Sequence, residues 1–113
     1  MFYGNLELLR HIKDEVDFVL ENTKGKTLEQ VTDDGILCRA IIRSIEIIGE
    51  ASKKIDDEFK ANYPEIEWKK MAGTRDRVIH HYFGVDYDII WDIIQTKLPD
   101  LQERVTDILN DDT

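Results

Sequence analysis

The sequence predicts an all-α fold, a bundle of about four to five main helices with short connections, on three observations. Apolar residues recur at spacings of three and four, as on one helix face, in residues 5–22, 36–54, 87–97 and 101–109. No segment alternates apolar and polar residues in the manner of a half-buried strand, so no strand is expected. Glycine or proline separates the helical segments, where it ends one helix or begins the next.

Length and composition predict a single domain that spans residues 1–113. With 113 residues and 42% hydrophobic content, the chain has apolar material for one core and little for a second. No run of roughly 18 to 20 apolar residues could span a bilayer, and the first residues do not resemble a leader, so a cytoplasmic protein is expected. The single cysteine, Cys38, lies in a helical pattern, and a lone cysteine excludes a disulfide framework and predicts a buried or half-buried thiol.

The first predicted helix covers residues 5–22. Asn5 is the expected N-cap, and Gly25 falls just past the end, where a left-handed residue is usually required. Thr27 and Gln30 then have the spacing of a capping box. A short helical turn is therefore expected before the second long helix.

The second long helix, residues 36–54, is expected to bury two faces. One stripe would serve the core, and Ile42 and Ile47 extend the apolar character onto a flank. A small monomer gains little from a helix that is apolar most of the way round. The flank is therefore a candidate contact with a partner subunit.

Residues 55–74 are expected to form two shorter helices. The first ends at Pro64, which restricts the residue before it to non-helical angles. Pro64 then suits the first turn of the next helix, where Glu65 and Glu67 would favour the helix dipole. Gly73 predicts a kink or loop before the segment that follows.

The last third of the chain is expected to hold two helices. Asp86 is a good N-cap for a helix over residues 87–97. Leu98 and Pro99 then mark a break or a new first turn. A final short helix is expected over residues 101–109.

Charge is distributed unevenly along the chain. The formal net charge of -9 argues against a protein that coats nucleic acid by bulk electrostatics. Residues 1–52 carry 10 acids and 6 bases, residues 53–82 carry 6 and 7, and residues 83–113 carry 8 and 2. An anionic ligand is therefore expected to meet the middle third, although an ordinary solvated surface would have the same composition.

The middle third contains the residues best suited to chemistry. Arg75, His80 and Tyr82 form the pattern Arg-x4-His-x-Tyr and place a permanent cation, an imidazole and a phenol close together. A bound phosphate would suit this set. The alternative for Arg75 and His80 is a structural hydrogen bond or ion pair between helices, and for Tyr82 a packing role.

Helix geometry constrains how these residues can meet. On a straight α-helix, Arg75 and Tyr82 share a face, whereas His80 lies about 140° round from Arg75. Either the helix loosens near His80, or each site combines Arg75 of one subunit with His80 of another. We expect both, with a helix that ends near Tyr82 and a site shared across a dimer.

Four segments extend the pattern into a resemblance that covers nearly the whole chain. Residues 47–54, 64–68, 71–76 and 80–86 resemble, in order, the signature segments of the HEPN superfamily, and in particular of the HepT-like toxins. One position departs from that pattern, because the residue between the motif histidine and tyrosine, often glycine, is His81. Either His80 or His81 is thus a candidate to face the substrate.

The resemblance implies a HEPN-like dimeric helical bundle that cleaves RNA without a metal or other cofactor. Arg75 would hold the scissile phosphate and stabilise its developing charge, and His80 would transfer a proton. Asp76 would orient Arg75 or His80, with His81 as a possible supporting residue. No metal-ligand spacing is strong, although the acidic residues Glu65, Glu67 and Asp76 do not strictly exclude a metal.

The resemblance also implies regulation through Tyr82. In HepT-like proteins the motif tyrosine accepts adenylyl groups from a minimal nucleotidyltransferase antitoxin, the MntA-like partner of a type VII toxin-antitoxin system. Adenylylated Tyr82 would block RNA and compete for Arg75. The alternative from a different class is a non-catalytic helical module that binds a nucleotide or a nucleotidyltransferase and uses Arg75 and His80 only to bind phosphate.

Overall fold

The computed structural model describes residues 4–80 and 84–111, with Ile79 and His80 described by their backbone alone. Within these residues the chain is almost entirely helical, which confirms the all-α prediction. The elements in order are α1 (Asn5–Thr23), α2 (Leu28–Asp33), α3 (Gly35–Lys54), α4 (Asp57–Ala61), α5 (Trp68–Ala72), α6 (Thr74–Val78), β1 (Ile79–His80), β2 (Gly84–Val85), α7 (Tyr87–Asp92), a π-helical segment (Ile93–Lys97) and α8 (Leu98–Asp111).

Helix α1 forms the centre of the bundle and packs against both α3 and α8. Leu9, Ile12, Val16 and Val19, the stripe of the first predicted helix, are all 0% exposed. The buried side chains of α3, the π-helical segment and α8 join them in one core cluster. Burying a large aliphatic side chain contributes about 1.5–3 kcal/mol, so this stripe is the main attachment of α1 to its neighbours.

Polar side chains join α1 to its neighbours along the edges of the core. The Ser44 hydroxyl of α3 donates to Glu15 Oε1 at 2.8 Å. Gln102 Nε2 of α8 donates to Asp17 Oδ1 at 2.7 Å, and Lys13 Nζ lies 2.6 Å from Asp17 Oδ2. Burial by itself raises the pKa of Asp17, but the hydrogen bonds from Lys13 and Gln102 and the charge of Lys13 together lower it below 3.8.

Two of the predicted helix-end signals are confirmed and one is wrong. Gly25 has φ 74°, and Thr27 and Gln30 form the expected capping box, with their reciprocal bonds at 3.2 and 2.8 Å. Asn5 is not the N-cap of α1, because Gly4 occupies that position. The Asn5 amide instead donates to Asp56 Oδ2 at 3.3 Å and accepts from the Asp56 backbone N–H at 3.1 Å, which joins the starts of α1 and α4.

The segment after α4 differs from the prediction of a helix that begins at Pro64. Residues 63–67 are not helical and include a turn at 64–65, and helix α5 begins only at Trp68. Ile66 and Trp68, two residues apart, are 4% and 8% exposed, which an α-helical first turn would not allow on one face. The Trp68 indole N–H also donates to the Tyr63 carbonyl at 3.0 Å, which holds the turn closed. The predicted interruption at Gly73 is confirmed, because α5 ends there and α6 begins at Thr74.

The last third of the chain is helical from Tyr87 to Asp111. Asp86 is its N-cap, as predicted, and Asp86 Oδ1 accepts from the Ile89 N–H at 3.1 Å. A new helix begins at Leu98, one of the two predicted outcomes at this point, but its backbone continues directly from the π-helical segment. The Leu98 N–H bonds the Ile93 carbonyl, five residues back, which widens the helix just before Pro99.

The surface retains a few large apolar side chains. Ile36 is 84% exposed, Tyr87 42% and Phe18 40%. The predicted flank residues Ile42 and Ile47 are half-buried, and Cys38 is buried as predicted. Within the described residues, no helix combines the length and apolar content needed to cross a membrane.

Replacing Asp17 with asparagine is expected to remove an acid-sensitive part of the stability. Because the folded-state pKa of Asp17 lies below its unfolded value, its contribution is complete above about pH 4 and is lost as the pH falls further. The free energies of unfolding of the wild type and Asp17→Asn, measured in urea, should therefore differ more at pH 7 than at pH 3. Asp14→Asn, at an exposed position of the same helix, is the control. An equal difference at both pH values would contradict the assignment.

Candidate active site

The predicted motif lies where the chain leaves a short helix and enters a small hairpin. Arg75 and Asp76 belong to α6, which ends at Val78. Ile79 then pairs with Val85 and His80 with Gly84 in an antiparallel bridge. The prediction of a helix to about Tyr82 is therefore wrong by four residues, and the expectation of no strand fails at these two-residue strands.

Val78 explains why the helix ends where it does. Its side chain is 0% exposed and belongs to the core, so it holds the last turn of α6 in place. Its carbonyl accepts from the Asp86 N–H at 2.7 Å, which closes the hairpin at the residue that caps α7. The helix thus ends at Val78, two residues before His80, so Arg75 and His80 do not lie on one straight helix that would hold them apart.

Arg75 is held at the surface by two carboxylates. Its Nε lies 3.6 Å from Glu46 Oε2 on α3, and one terminal nitrogen lies 3.7 Å from Asp76 Oδ1. Glu46 also lies 3.9 Å from the guanidinium of Arg43. Both Arg75 contacts are longer than a hydrogen bond, and the side chain is 53% exposed. The guanidinium is thus positioned by charge, while its N–H donors stay available to an anion.

The structure describes the predicted site residues to different extents. Arg75 and Asp76 come together in an ion pair. His80 is placed only by its backbone, beside Gly84. His81 and Tyr82 lie outside the described residues. The roles predicted for these five residues remain predictions.

Sequence reasoning missed Glu46 as a neighbour of Arg75. The two residues lie on different helices, and no local spacing links them. The one available sign was a glutamate between two isoleucines on a largely apolar predicted helix, and many such residues only border a core. The contact depends on how α6 packs against α3, which is a property of the fold.

Close packing of α3 and α5 fixes the approach of α6. Gly49 is buried, and a Cβ at this position would lie 3.4 Å from the carbonyl oxygens of both Met71 and Ala72. A Cβ would therefore just fit in van der Waals contact, and a longer side chain would meet these carbonyls. This close packing of α3 against α5 places the start of α6, which carries Arg75, near Glu46.

A cavity of about 360 Å³ lies on one side of α6. Thr74 and Arg77 of α6 line it, together with residues of α3, α5, the π-helical segment and α8. Its apolar floor consists of Ile45, Ile48, Met71, Ile93, Leu98 and Leu101. Its volume is in the range of small-molecule sites in proteins.

The described residues offer no preformed metal site. In the ranges 4–80 and 84–111, no three His, Cys, Asp or Glu side chains lie close enough to hold an ion together. Burial raises the pKa of the Cys38 thiol, and a hydrogen bond with Tyr87 and the charge of Arg39 only partly offset this effect. Cys38 is thus a buried thiol with no feature of a nucleophile.

Comparison with known proteins matches this chain to a family. A family model described as "Ribonuclease HepT-like" matches residues 12–108, which include α6, the hairpin and the cavity. The chain belongs to the HepT-like family. The HEPN resemblance seen in the sequence is therefore correct at the level of the family.

Curated relatives of this HepT-like chain match along most of their length. A protein of Caldanaerobacter subterraneus subsp. tengcongensis named "Putative RNase" is 46% identical over 101 residues, which are 89% of this chain and 90% of that protein. One of Methanocaldococcus jannaschii with the same description is 41% identical over 105 residues, 93% and 84% of the two chains. "Probable ribonuclease HepT" of Thermococcus cleftensis is 40% identical over 98 residues, 87% and 89% of the two chains. No solved structure matches.

Proposed function

We propose that this HepT-like chain is a metal-independent endoribonuclease and the toxin of a type VII toxin-antitoxin system. The observation that carries the proposal is the exposed Arg75 guanidinium, held beside the bend that leads to His80. Membership of the HepT-like family and the ribonuclease names of the relatives support RNA as the substrate. We also propose a cytoplasmic location.

The proposed reaction uses the ribose 2'-hydroxyl as the nucleophile. His80 removes the hydroxyl proton, the 2'-oxygen forms a bond to phosphorus, and the bond from phosphorus to the 5'-oxygen breaks. The departing 5'-oxygen takes a proton from a second acid, for which the other subunit's motif histidine is the candidate. Arg75 stabilises the charge that develops on the phosphoryl oxygens. The products are a 2',3'-cyclic phosphate and a 5'-hydroxyl.

The proposed active form is a homodimer in which two motifs face each other. Arg75 is 53% exposed although two carboxylates hold it, so it can reach a substrate bound across a second subunit. The half-buried flank of Ile42 and Ile47 and the exposed Ile36 lie on the same helix as Glu46 and supply apolar surface for contact. A dimer would also supply the second proton-transfer group that the reaction needs.

The proposed control is adenylylation of Tyr82 by a nucleotidyltransferase antitoxin. The phenolic oxygen attacks the α-phosphorus of ATP, a new oxygen–phosphorus bond forms, and pyrophosphate leaves. The adduct adds a negative charge and a bulky group two residues after His80. It would compete with RNA for Arg75 and obstruct the site.

Removing the motif cation or imidazole is expected to abolish toxicity and cleavage. Arg75→Ala should lower the cleavage rate about 10²- to 10³-fold, and His80→Ala by about 10²- to 10⁴-fold, measured on purified protein with a labelled RNA. Cleavage should continue with a chelator present and stop when the 2'-hydroxyl at the cut is replaced by hydrogen. Arg43→Ala is the matched control, because Arg43 also lies beside Glu46 but outside the motif. Harmless wild-type expression, indistinguishable from both variants, would favour the non-catalytic phosphate-binding alternative.

Mixing two inactive variants tests whether the site is shared. If Arg75 of one subunit works with His80 of the other, a dimer of one Arg75→Ala and one His80→Ala chain keeps one Arg75–His80 pair but has a single motif histidine. Random exchange should then restore at most about a quarter of the wild-type activity, because about half the dimers are mixed and each has one of two pairs, and less where the second histidine supplies the acid. Sites built within single subunits would give no recovery, provided that native mass spectrometry detects the mixed dimer.

Co-expression with a minimal nucleotidyltransferase of the MntA-like type tests the control of Tyr82. Mass spectrometry should detect adenylyl mass on the peptide containing Tyr82, and the modified protein should lose cleavage activity. Tyr82→Phe should carry no adduct and resist neutralisation if it remains active. Tyr87→Phe is the control, since Tyr87 lies outside the motif at the start of α7. An unmodified Tyr82 peptide from a neutralised toxin would reject this route.

A further inference from the structure

The cavity beside α6 is lined by sequence neighbours of Arg75 and of Glu46. Thr74 and Arg77, on either side of Arg75 in the sequence, both line the cavity. On α3, Ile45 lines it too and directly precedes Glu46, the carboxylate that holds Arg75. A chain bound at Arg75 could therefore place its neighbouring unit in the cavity.

The floor of the cavity is suited to a flat apolar surface. Ile45, Ile48, Ile93, Leu98 and Leu101 are each between 2% and 7% exposed. These buried side chains provide a fixed surface rather than mobile cover. None of the described lining residues is aromatic, so an unstacked nucleobase would lie on this floor through apolar contact with aliphatic side chains, while its polar edge stays at the rim.

The rim supplies charge that complements a phosphate. Four bases line the cavity, against three acids, in a chain whose net charge is -9: Lys70, Arg77, Lys97 and Arg104, against Glu65, Glu67 and Asp100. Glu67 is occupied by Lys70 at 2.8 Å and Lys97 at 3.6 Å, and Asp100 by Arg104 at 2.9 Å. Within the part of the chain that the structure describes, Arg77 makes no ion pair, so it is the rim cation most available to a ligand.

The π-helical segment shapes the far wall. Ile93 and Leu98, the two residues joined by its wide turn, both contribute to the floor. Thr96 lies between them at the rim, where its hydroxyl bonds the Asp92 carbonyl at 2.7 Å. Wide turns of this type are frequent at functional sites.

We infer that this cavity binds one unstacked base of the RNA substrate, next to the phosphate that is cleaved, and that Arg77 contacts the adjoining phosphate. The inference rests on the proposed ribonuclease function for the identity of the ligand. It assigns the cavity a separate task, which is to choose where along an RNA chain Arg75 and His80 act. The base lies on the apolar floor, and its polar edge meets the rim.

Binding of single nucleotides tests the cavity without any cleavage. The protein is labelled at isoleucine methyl groups and titrated with each ribonucleoside 3'-monophosphate and, as the probe without a base, ribose 5-phosphate. At least one nucleotide should shift the methyl resonances of Ile45, Ile48 and Ile93 and bind at least about tenfold more tightly than ribose 5-phosphate, since the base adds contact with the apolar floor. Equal affinity for ribose 5-phosphate, or no shift of these methyls up to millimolar ligand, would overturn the inference.

A pair of tryptophan substitutions, one in the cavity and one outside it, tests whether the nucleotide binds there. Thr96→Trp places an indole at the rim, whereas Glu103→Trp adds the same group at an exposed position of α8 that does not line the cavity. Thr96→Trp should weaken nucleotide binding at least about tenfold, and Glu103→Trp should leave it within about twofold. Both variants are checked for wild-type unfolding midpoints. Unchanged binding in a folded Thr96→Trp protein would place the nucleotide elsewhere.

Cleavage of abasic RNA then locates the base along the substrate. Removing one base beside the cut should raise KM about tenfold in the wild type and have little effect in Thr96→Trp, while kcat changes less. Arg77→Gln should raise KM for intact RNA, with Arg43→Gln as the control. If RNA is cut but no single base removal changes KM, the cavity has no such role. If RNA is never cut while nucleotides still bind the floor, the ribonuclease proposal fails and the binding site stands.

Discussion

The complete burial of one face of α1 is the constraint on which the other elements depend. Leu9, Ile12, Val16 and Val19 are fully inaccessible because α3 and α8 cover them from two sides. The positions of these two helices then determine what lies between them at the other end of the bundle. There α3 contributes Glu46 and the cavity floor, and α8 contributes the opposite wall. The candidate site is therefore a consequence of how the core packs.

The path of the backbone through the Arg-x4-His-x-Tyr motif depends on where helix α6 ends. Had α6 continued, Arg75 and His80 would point about 140° apart. The buried Val78 and its bond to the Asp86 N–H end the helix instead, and the same aspartate begins α7. The ends of this small hairpin thus anchor the chain in the core, turn the backbone before His80 and begin α7.

The sequence predicted the long elements and some of their caps, because these depend on neighbouring residues. The helical periodicity of residues 5–22 and 36–54, the capping box at Thr27 and the cap at Asp86 are all local. Asn5 and Pro64 misled the prediction for a shared reason. Each residue suits a helix start, but contacts distant in sequence or the burial of neighbouring side chains favoured another arrangement.

Two other features were beyond prediction because nothing local encodes them. The pairing of Glu46 with Arg75 depends on the packing of α3 against α6. The π-helical turn is compatible with a normal helical pattern, since Ile90, Ile94 and Leu98 are also spaced by four. The bond from the Leu98 N–H to the Ile93 carbonyl distinguishes it, and adjacent buried residues do not, since Leu8 and Leu9 are both buried in the ordinary helix α1. For the site, the sequence supplied the candidate residues, while the cavity and the second carboxylate at Arg75 required the fold.

The two carboxylates beside Arg75 have a consequence for selectivity among anions. A small anion that approaches Arg75 gains one cation but meets the repulsion of Glu46 and Asp76, each worth about 1 kcal/mol at 4 Å in water. Free phosphate is therefore expected to bind only weakly at Arg75. A polymer that is already bound through other units tolerates this repulsion, because its remaining contacts offset it. The same pair of acids that positions the cation thus protects it from the small anions that surround it in solution.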